Sequence, residues 1–279
     1  MIKGTEILDY QLDKLAAVRD VGVLLLGDSS LGNAVEARDW ERALQRPVLS
    51  LALTGDFGYE GSLNMLRRSL RRVRPDLVVL VHTLEMPRRK NRWAGLIYTA
   101  ERLEDLTDAP PLDIVASLAN LDLSGEMLRG WIAGLHANGL ALVAADYPAQ
   151  RARGPDGTGH GGDGRYLAPS ALREGAMRTL DRIGALCQSA GVPCLYAHGP
   201  YVEPFCSKSE AFVAAANARI AKAGLRVVDG TPLCIPRSEV GDSPEHPAPE
   251  WKTAYSDAYQ RLVIGAEGGT LGPVAHASR

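Results

Sequence analysis

Short runs of apolar residues alternate along the chain with longer segments whose apolar residues recur every three or four positions. The runs predict strands, because a strand that is covered on both faces is apolar at every position. The spaced segments predict amphipathic helices. The predicted strands are 22–26, 47–53, 76–81, 140–145, 192–197 and 225–228. The predicted helices are 33–44, 62–73, 92–103, 124–137, 168–190, 207–223 and 249–263.

Strands that alternate with helices predict an α/β fold in which helices cover both faces of a parallel sheet. A chain of 279 residues suits one such domain, spanning 1–279. The stretch 87–165 is less regular, and we interpret it as an insertion into a smaller core. The insertion ends in 151–165, which holds six glycines and is predicted to be a surface loop. The glycine-rich tail from about residue 265 is predicted to fray.

The composition, 46% hydrophobic and 23% charged, is that of an ordinary soluble globular protein. A net charge of -2 argues against a general nucleic-acid binder. The apolar runs are too short to span a bilayer, so no transmembrane segment is expected. Residues 1–20 lack the apolar stretch of a signal peptide. The chain as written is therefore expected in the cytoplasm, or in the periplasm or outside the cell if an export signal has been removed; its oligomeric state stays open.

The four cysteines, at positions 187, 194, 206 and 234, form no CxxC pair, which argues against a zinc site. We expect them to be buried or incidental thiols. The histidines show no HExxH spacing either. We therefore expect neither a metal nor a cofactor.

The first predicted strand ends abruptly in Gly27-Asp28-Ser29-Ser30, at the sheet edge where parallel α/β proteins bind their ligands. Helix capping alone explains these residues, because aspartate and serine are favoured N-caps. A phosphate-binding turn is a weaker interpretation, since the glycine spacing of the known phosphate loops is absent. The third interpretation makes Ser29 a nucleophile, which requires a histidine base, a carboxylate to orient it and donors for an oxyanion.

A histidine and a carboxylate with this potential lie together near the end of the chain. The segment VGDSPEHPAPEW (240–251) places His246 four residues after Asp242, just before the last predicted helix. Such a loop can aim both side chains at the sheet edge that carries Ser29.

In these blocks the chain resembles the SGNH/GDSL hydrolase superfamily of serine esterases. Gly27-Asp28-Ser29 matches the nucleophile block, and Asp242 with His246 resembles the block that supplies acid and base. Gly55, in LALTGDFGYEGS, matches the glycine whose N–H group contributes to the oxyanion hole. The resemblance implies a flavodoxin-like three-layer α/β/α sandwich and acyl transfer from an ester through an acyl-enzyme on Ser29. Asp28 would fix the turn.

Two features depart from the family pattern. The Gly-x-Asn that normally follows the third strand is missing, and Asn91 is too far along to replace it. His82 and Thr83 occupy the region, and we expect them, with Gly55 and Asp28, to line the oxyanion and substrate site. The family also places its aspartate three residues before the histidine. That position holds a serine here, so Asp242 or another carboxylate, such as Glu245, would orient His246.

The resemblance implies a serine hydrolase that removes small O-acyl groups, acetyl above all, with a polysaccharide as a candidate carrier. The alternatives are an O-acetyltransferase with the same site and a catalytically weak carbohydrate-binding or assembly protein of the same fold.

The basic residues of 67–92 form either a solvated helix face or a rim that attracts an anionic polymer or membrane surface. Trp93, Tyr98 and Trp131 are either a small local core or a platform for a sugar ring. The loop 154–164 is either a lid or ordinary surface.

Overall fold

A computed structural model of the chain describes residues 4–107, 109–112, 114–115 and 164–268. The predicted helix 124–137, the predicted strand 140–145, Trp131 and most of the glycine-rich loop lie outside the described residues.

Five parallel strands form the central sheet, as the alternating pattern predicts. Within the described residues the strands are β1 (Val23–Gly27), β2 (Val48–Ala52), β3 (Leu77–His82), β4 (Cys194–His198), β5 (Tyr201–Val202), β6 (Arg226–Val227) and β7 (Cys234–Ile235). The sheet order is β2-β1-β3-β4-β6, and β5 pairs with β7 in a separate two-stranded sheet. The chain moves outward from β1 to β2 and then crosses back to β3 on the other side of β1. The carboxyl ends of β1 and β3 therefore flank a topological switch point, where open α/β sheets form a ligand crevice.

Helices cover both faces of this sheet, which makes a three-layer α/β/α fold. The helices of the described residues are α1 (Gly4–Ala17), α2 (Ser29–Ala34), α3 (Ala37–Leu44), α4 (Gly58–Arg72), α5 (Trp93–Thr99), α6 (Glu174–Ala190), α7 (Glu210–Lys222) and α8 (Lys252–Ala266). Successive residues of β1 point to opposite faces. Leu24 and Leu26 pack with α4, α6 and α7, whereas Val23 and Leu25 pack with α2, α3 and α8. None of the described helices combines the length and the hydropathy that crossing a bilayer would need.

Most of the predicted helices differ from the observed ones at one or both ends; the predicted helix 92–103, for example, ends at Thr99. In two cases the local physical reason is clear. The predicted helix 33–44 is broken, because Val35 and Glu36 are extended and the Glu36 side chain caps α3 by accepting from the Arg38 N–H group. The predicted helix 168–190 begins only at Glu174, because Pro169 opens a separate short turn over Pro169–Ala171.

The cysteines correct the expectation of free thiols. Cys187 is joined to Cys194 and Cys206 to Cys234, so all four form disulfides. The first disulfide joins the end of α6 to the start of β4. The second joins the segment after β5 to β7, and so reinforces the small sheet.

Candidate active site

A serine, a histidine and an aspartate form a continuous hydrogen-bonded chain at the carboxyl edge of the sheet. Ser29 Oγ lies 2.9 Å from His246 Nε2, although 217 positions separate the two residues. His246 Nδ1 lies 2.7 Å from Asp242 Oδ1. The side chains of His246 and Asp242 are 13% and 23% exposed, so solvent reaches the site. This arrangement can take a proton from the serine hydroxyl and stabilise the resulting imidazolium.

The turn that presents Ser29 is held by Gly27 and Asp28. A Cβ at position 27 would overlap the carbonyl oxygen of Val81 on the neighbouring strand, so only glycine fits there. Asp28 is 2% exposed and accepts from two backbone N–H groups, those of Ser30 and Thr83, both at 2.9 Å. Its carboxylate therefore caps α2 and ties the serine turn to the end of β3, which agrees with the expectation that Asp28 fixes the turn.

The loop that carries His246 is closed on itself. The Gly241 N–H group donates to the His246 carbonyl at 2.7 Å, and the His246 N–H group donates to the Ser243 carbonyl at 3.1 Å. This tight loop lets Asp242 reach the imidazole from four positions back. Glu245, the alternative orienting carboxylate, instead accepts from Ser243 Oγ at 2.9 Å.

Gly55 lies at the same edge of the sheet as Ser29. It follows β2 by three residues, and the Leu53 N–H group donates to the Gly27 carbonyl at 2.9 Å, which keeps the two strand ends together. Gly55 then opens the short turn Gly55–Phe57 that leads into α4. A Cβ at position 55 would lie 2.6 Å from Arg89 Nη1, so the glycine allows a guanidinium to approach the backbone closely.

His82 and Thr83 are interior residues. His82 is fully buried, and its Nε2 lies 2.9 Å from Ser62 Oγ. Burial lowers the pKa of His82 to about 4; the charge of Asp28 opposes this shift and that of Arg89 adds to it. The Thr83 hydroxyl is buried and has no hydrogen-bond partner among the described residues. Of the two, only Thr83 contacts the serine turn, through the N–H group that donates to Asp28, and neither side chain presents a donor to solvent.

His198, at the end of β4, lies opposite His82 on the neighbouring strand and is buried like it. Its Nε2 lies 2.7 Å from Asn217 Oδ1, and burial lowers its pKa to about 4. We refer to His82 and His198 as the two buried histidines. Both are neutral at neutral pH.

Asn91 serves the scaffold, consistent with its distance from the Gly-x-Asn position. Its amide donates to Glu60 Oε1 at 2.5 Å, and Thr179 Oγ1 donates to the same oxygen at 2.8 Å. The second Glu60 oxygen accepts from the Arg92 N–H group at 3.0 Å. Sequence reasoning did not single out Glu60, a buried carboxylate that joins α4, the segment before α5, and α6.

The basic stretch 67–92 divides into two parts with different surroundings. Several of its arginines on α4 hold neighbouring chain in place: Arg68 donates to the carbonyls of Thr99 and Ala100, and Arg71 pairs with Asp105. After β3, Arg88 pairs with Glu85 at 2.7 Å. Arg89, by contrast, reaches the candidate site, where it contacts the Gly55 carbonyl and Glu245. Its position directly after β3 was the only sequence signal for this role.

The aromatic residues Trp93 and Tyr98 pack against the core cluster on the α4 side of the sheet. This packing favours the interpretation of a local core over that of a sugar platform. Within the described ranges, no group of three or more histidine, cysteine, aspartate or glutamate residues is placed to hold a metal ion.

The fold and the site together define an α/β protein with a Ser–His–Asp hydrogen-bonded chain at the switch point of a parallel sheet. No model of a known protein family matches the chain, and no curated protein is significantly similar to it.

Proposed function

We propose that the protein is a serine esterase that removes small O-acyl groups, acetyl above all, with an acylated carbohydrate as the candidate substrate. The observation that carries this proposal is the chain from Ser29 Oγ through His246 to Asp242, with distances of 2.9 and 2.7 Å. A serine hydroxyl becomes a useful nucleophile only beside an oriented base, and both parts are present in hydrogen-bonding geometry.

The reaction follows from these contacts. Asp242 accepts the Nδ1–H of His246, which leaves Nε2 free to take the proton of Ser29. Ser29 Oγ then attacks the ester carbonyl, and the backbone N–H groups of Ser29 and Gly55 receive the developing oxyanion. Collapse of this intermediate expels the alcohol with the proton from His246, and water resolves the acyl-enzyme by the same steps in reverse.

The order of the blocks supports membership of the SGNH/GDSL superfamily as part of the proposal. Gly27-Asp28-Ser29, Gly55 and the Asp242–His246 loop come from three separate parts of the chain. In the folded chain, the first two follow neighbouring strands and the third touches Ser29 directly. Short motifs that matched the family by chance would not need to lie together in the folded chain.

The two disulfides bear on where the protein acts. Disulfides form and persist in oxidising compartments and are rare in the cytosol. The two disulfides support our inference that the protein acts in the periplasm or outside the cell rather than in the cytoplasm. Thiol alkylation followed by mass spectrometry, with and without reductant, tests this. Four reactive thiols in protein isolated without reductant would contradict it.

Hydrolysis of p-nitrophenyl acetate tests the proposed activity. We expect Ser29→Ala and His246→Ala to lose about 10³-fold or more in kcat relative to the wild type. Ser30→Ala is the matched control, because the neighbouring hydroxyl is buried and has no partner among the described residues. Equal rates for the wild type, Ser29→Ala and Ser30→Ala would refute the esterase. Acyl transfer from the same ester to an oligosaccharide, faster than hydrolysis and dependent on Ser29, would identify a transferase with the same site.

A further inference from the structure

Arg89 contacts both the turn that carries Gly55 and the loop that carries His246. Its Nη1 lies 3.4 Å from the Gly55 carbonyl oxygen, on the turn that follows β2. Its Nη2 lies 3.4 Å from Glu245 Oε1, one residue before the histidine that touches Ser29. The guanidinium therefore links the turn that carries Gly55 to the loop that carries His246.

The guanidinium keeps donor capacity beyond these two contacts. Both hydrogen bonds are long, at 3.4 Å, whereas charge-assisted bonds are commonly 2.7–2.9 Å. An arginine carries five N–H donors in a planar fork. The Arg89 side chain is 27% exposed, so it is neither sealed in the interior nor fully hydrated. The ion pair with Glu245 offsets part of the desolvation free energy of the guanidinium, and it leaves other N–H groups of Arg89 available.

The other candidates for the missing side-chain donor are occupied or sealed. The Asn91 amide donates to Glu60. The His82 ring and the Thr83 hydroxyl are buried, and the Thr83 N–H group donates to Asp28. Loss of one oxyanion donor costs about 2.7–4 kcal/mol of transition-state stabilisation, so an active site of this type needs a replacement.

We propose that Arg89 is a catalytic residue that stabilises the oxyanion in place of the absent asparagine side chain. This proposal rests on the proposed esterase function and identifies a further part of its site. When Ser29 Oγ bonds to the carbonyl carbon, the π electron pair moves to the carbonyl oxygen and the serine proton passes to His246 Nε2. An N–H group of Arg89 donates to that oxygen, beside the N–H groups of Ser29 and Gly55. When the carbonyl re-forms, the alcohol leaves with the proton from His246.

The test uses p-nitrophenyl acetate, because a neutral ester offers no anionic group for an arginine to bind in the ground state. The variants are Arg89→Gln and Arg89→Lys, with Lys90→Gln as the control. Lys90 carries the same charge one position further along, and it is exposed. Glu245→Gln removes the partner of Arg89 and leaves the arginine in place. Ser29→Ala in the same series gives the background rate, and circular dichroism verifies that each variant is folded.

We expect Arg89→Gln to lower kcat about 10²- to 10³-fold with little change in KM, as for the loss of an oxyanion donor. Arg89→Lys should retain part of the rate and Lys90→Gln all of it, and Glu245→Gln should stay within about tenfold of the wild type. A boronic acid, whose adduct with Ser29 is tetrahedral, should bind Arg89→Gln more weakly by a factor similar to the loss in kcat/KM.

Three results would overturn the proposal while leaving the esterase intact. They are an unchanged kcat in Arg89→Gln, a loss confined to KM, and an equal loss in Glu245→Gln, which would make Arg89 a positioning residue. A wild type with no turnover above Ser29→Ala would instead refute the esterase, and the role of Arg89 with it.

Discussion

Replacing Asp242 by asparagine tests which carboxylate orients His246. Asp242 Oδ1 lies 2.7 Å from Nδ1, and Glu245 is held by Ser243 and Arg89. Asparagine keeps the size of the side chain and removes its charge. If the amide nitrogen turns toward Nδ1, the ring must carry its proton on Nε2, where it can no longer accept from Ser29. If the amide oxygen faces Nδ1, the imidazolium loses its counter-charge.

The expected loss in Asp242→Asn is about 10⁴-fold in kcat, as for the same change in a serine protease triad. That factor corresponds to about 5.5 kcal/mol of activation free energy. We attribute most of this loss to the tautomer of His246 that carries its proton on Nε2. The 2.7 Å contact leaves no room for a water molecule between the two side chains, so the asparagine amide acts on Nδ1 directly. The loss should therefore appear in kcat, with KM nearly constant.

The assay is steady-state hydrolysis of p-nitrophenyl acetate by the wild type, Asp242→Asn and Glu245→Gln, each with its unfolding midpoint measured. Glu245→Gln should stay within about tenfold of the wild type, since the hydrogen bonds of the Glu245 carboxylate in the described site go to Ser243 and Arg89. The reasoning is refuted if Asp242→Asn keeps more than a tenth of the wild-type kcat, or if Glu245→Gln loses as much as Asp242→Asn.

The remaining predictions concern stability. Gly27→Ala should lower the free energy of unfolding by about 3 kcal/mol or more in urea, because the new methyl overlaps the neighbouring strand; Gly265→Ala, with open space around it, should not. Replacing Cys206 and Cys234 by serine should cost about 3.5 kcal/mol by the loop-entropy relation for the 28-residue separation, and an unchanged urea midpoint would contradict this. The two buried histidines have a pKa of about 4 when folded and about 6.5 when unfolded. Between these two pH values the unfolded chain therefore binds more protons than the folded one. The free energy of unfolding should fall as the pH drops from 6.5 toward 4, by up to about 3 kcal/mol for each histidine. A urea midpoint that does not change from pH 7 to pH 5 would refute this prediction.

The sheet could be predicted because its strands are covered on both faces. A buried parallel strand such as β3 is apolar at nearly every position, and this signal needs no knowledge of its neighbours. The break before α3 could not be predicted in this way. The Glu36 N–H group donates to Ser256 Oγ at 3.0 Å, a contact between residues 220 positions apart. The apolar spacing of 33–44 is compatible with a single helix, and this long-range contact favours two helices instead.

The candidate site was predictable where the chemistry is carried by short motifs. Ser29, Asp242 and His246 each stand in a recognisable local context, and the order of those contexts was enough to bring them together. Arg89 has no such context. It was one of several basic residues after β3, and only its contacts, 34 positions back to Gly55 and 156 positions forward to Glu245, distinguish it from Arg88 and Lys90.

The disulfide between Cys206 and Cys234 supports the candidate site from a distance. Cys206 and Cys234 lie 28 positions apart with no spacing motif, and the small sheet of β5 and β7 brings them together. That sheet also holds the loop that carries His246, because the Val202 N–H group donates to the Pro244 carbonyl at 2.9 Å. The disulfide therefore braces the strand against which the His246 loop is hydrogen-bonded. An oxidising compartment would then supply part of the rigidity that keeps His246 within reach of Ser29.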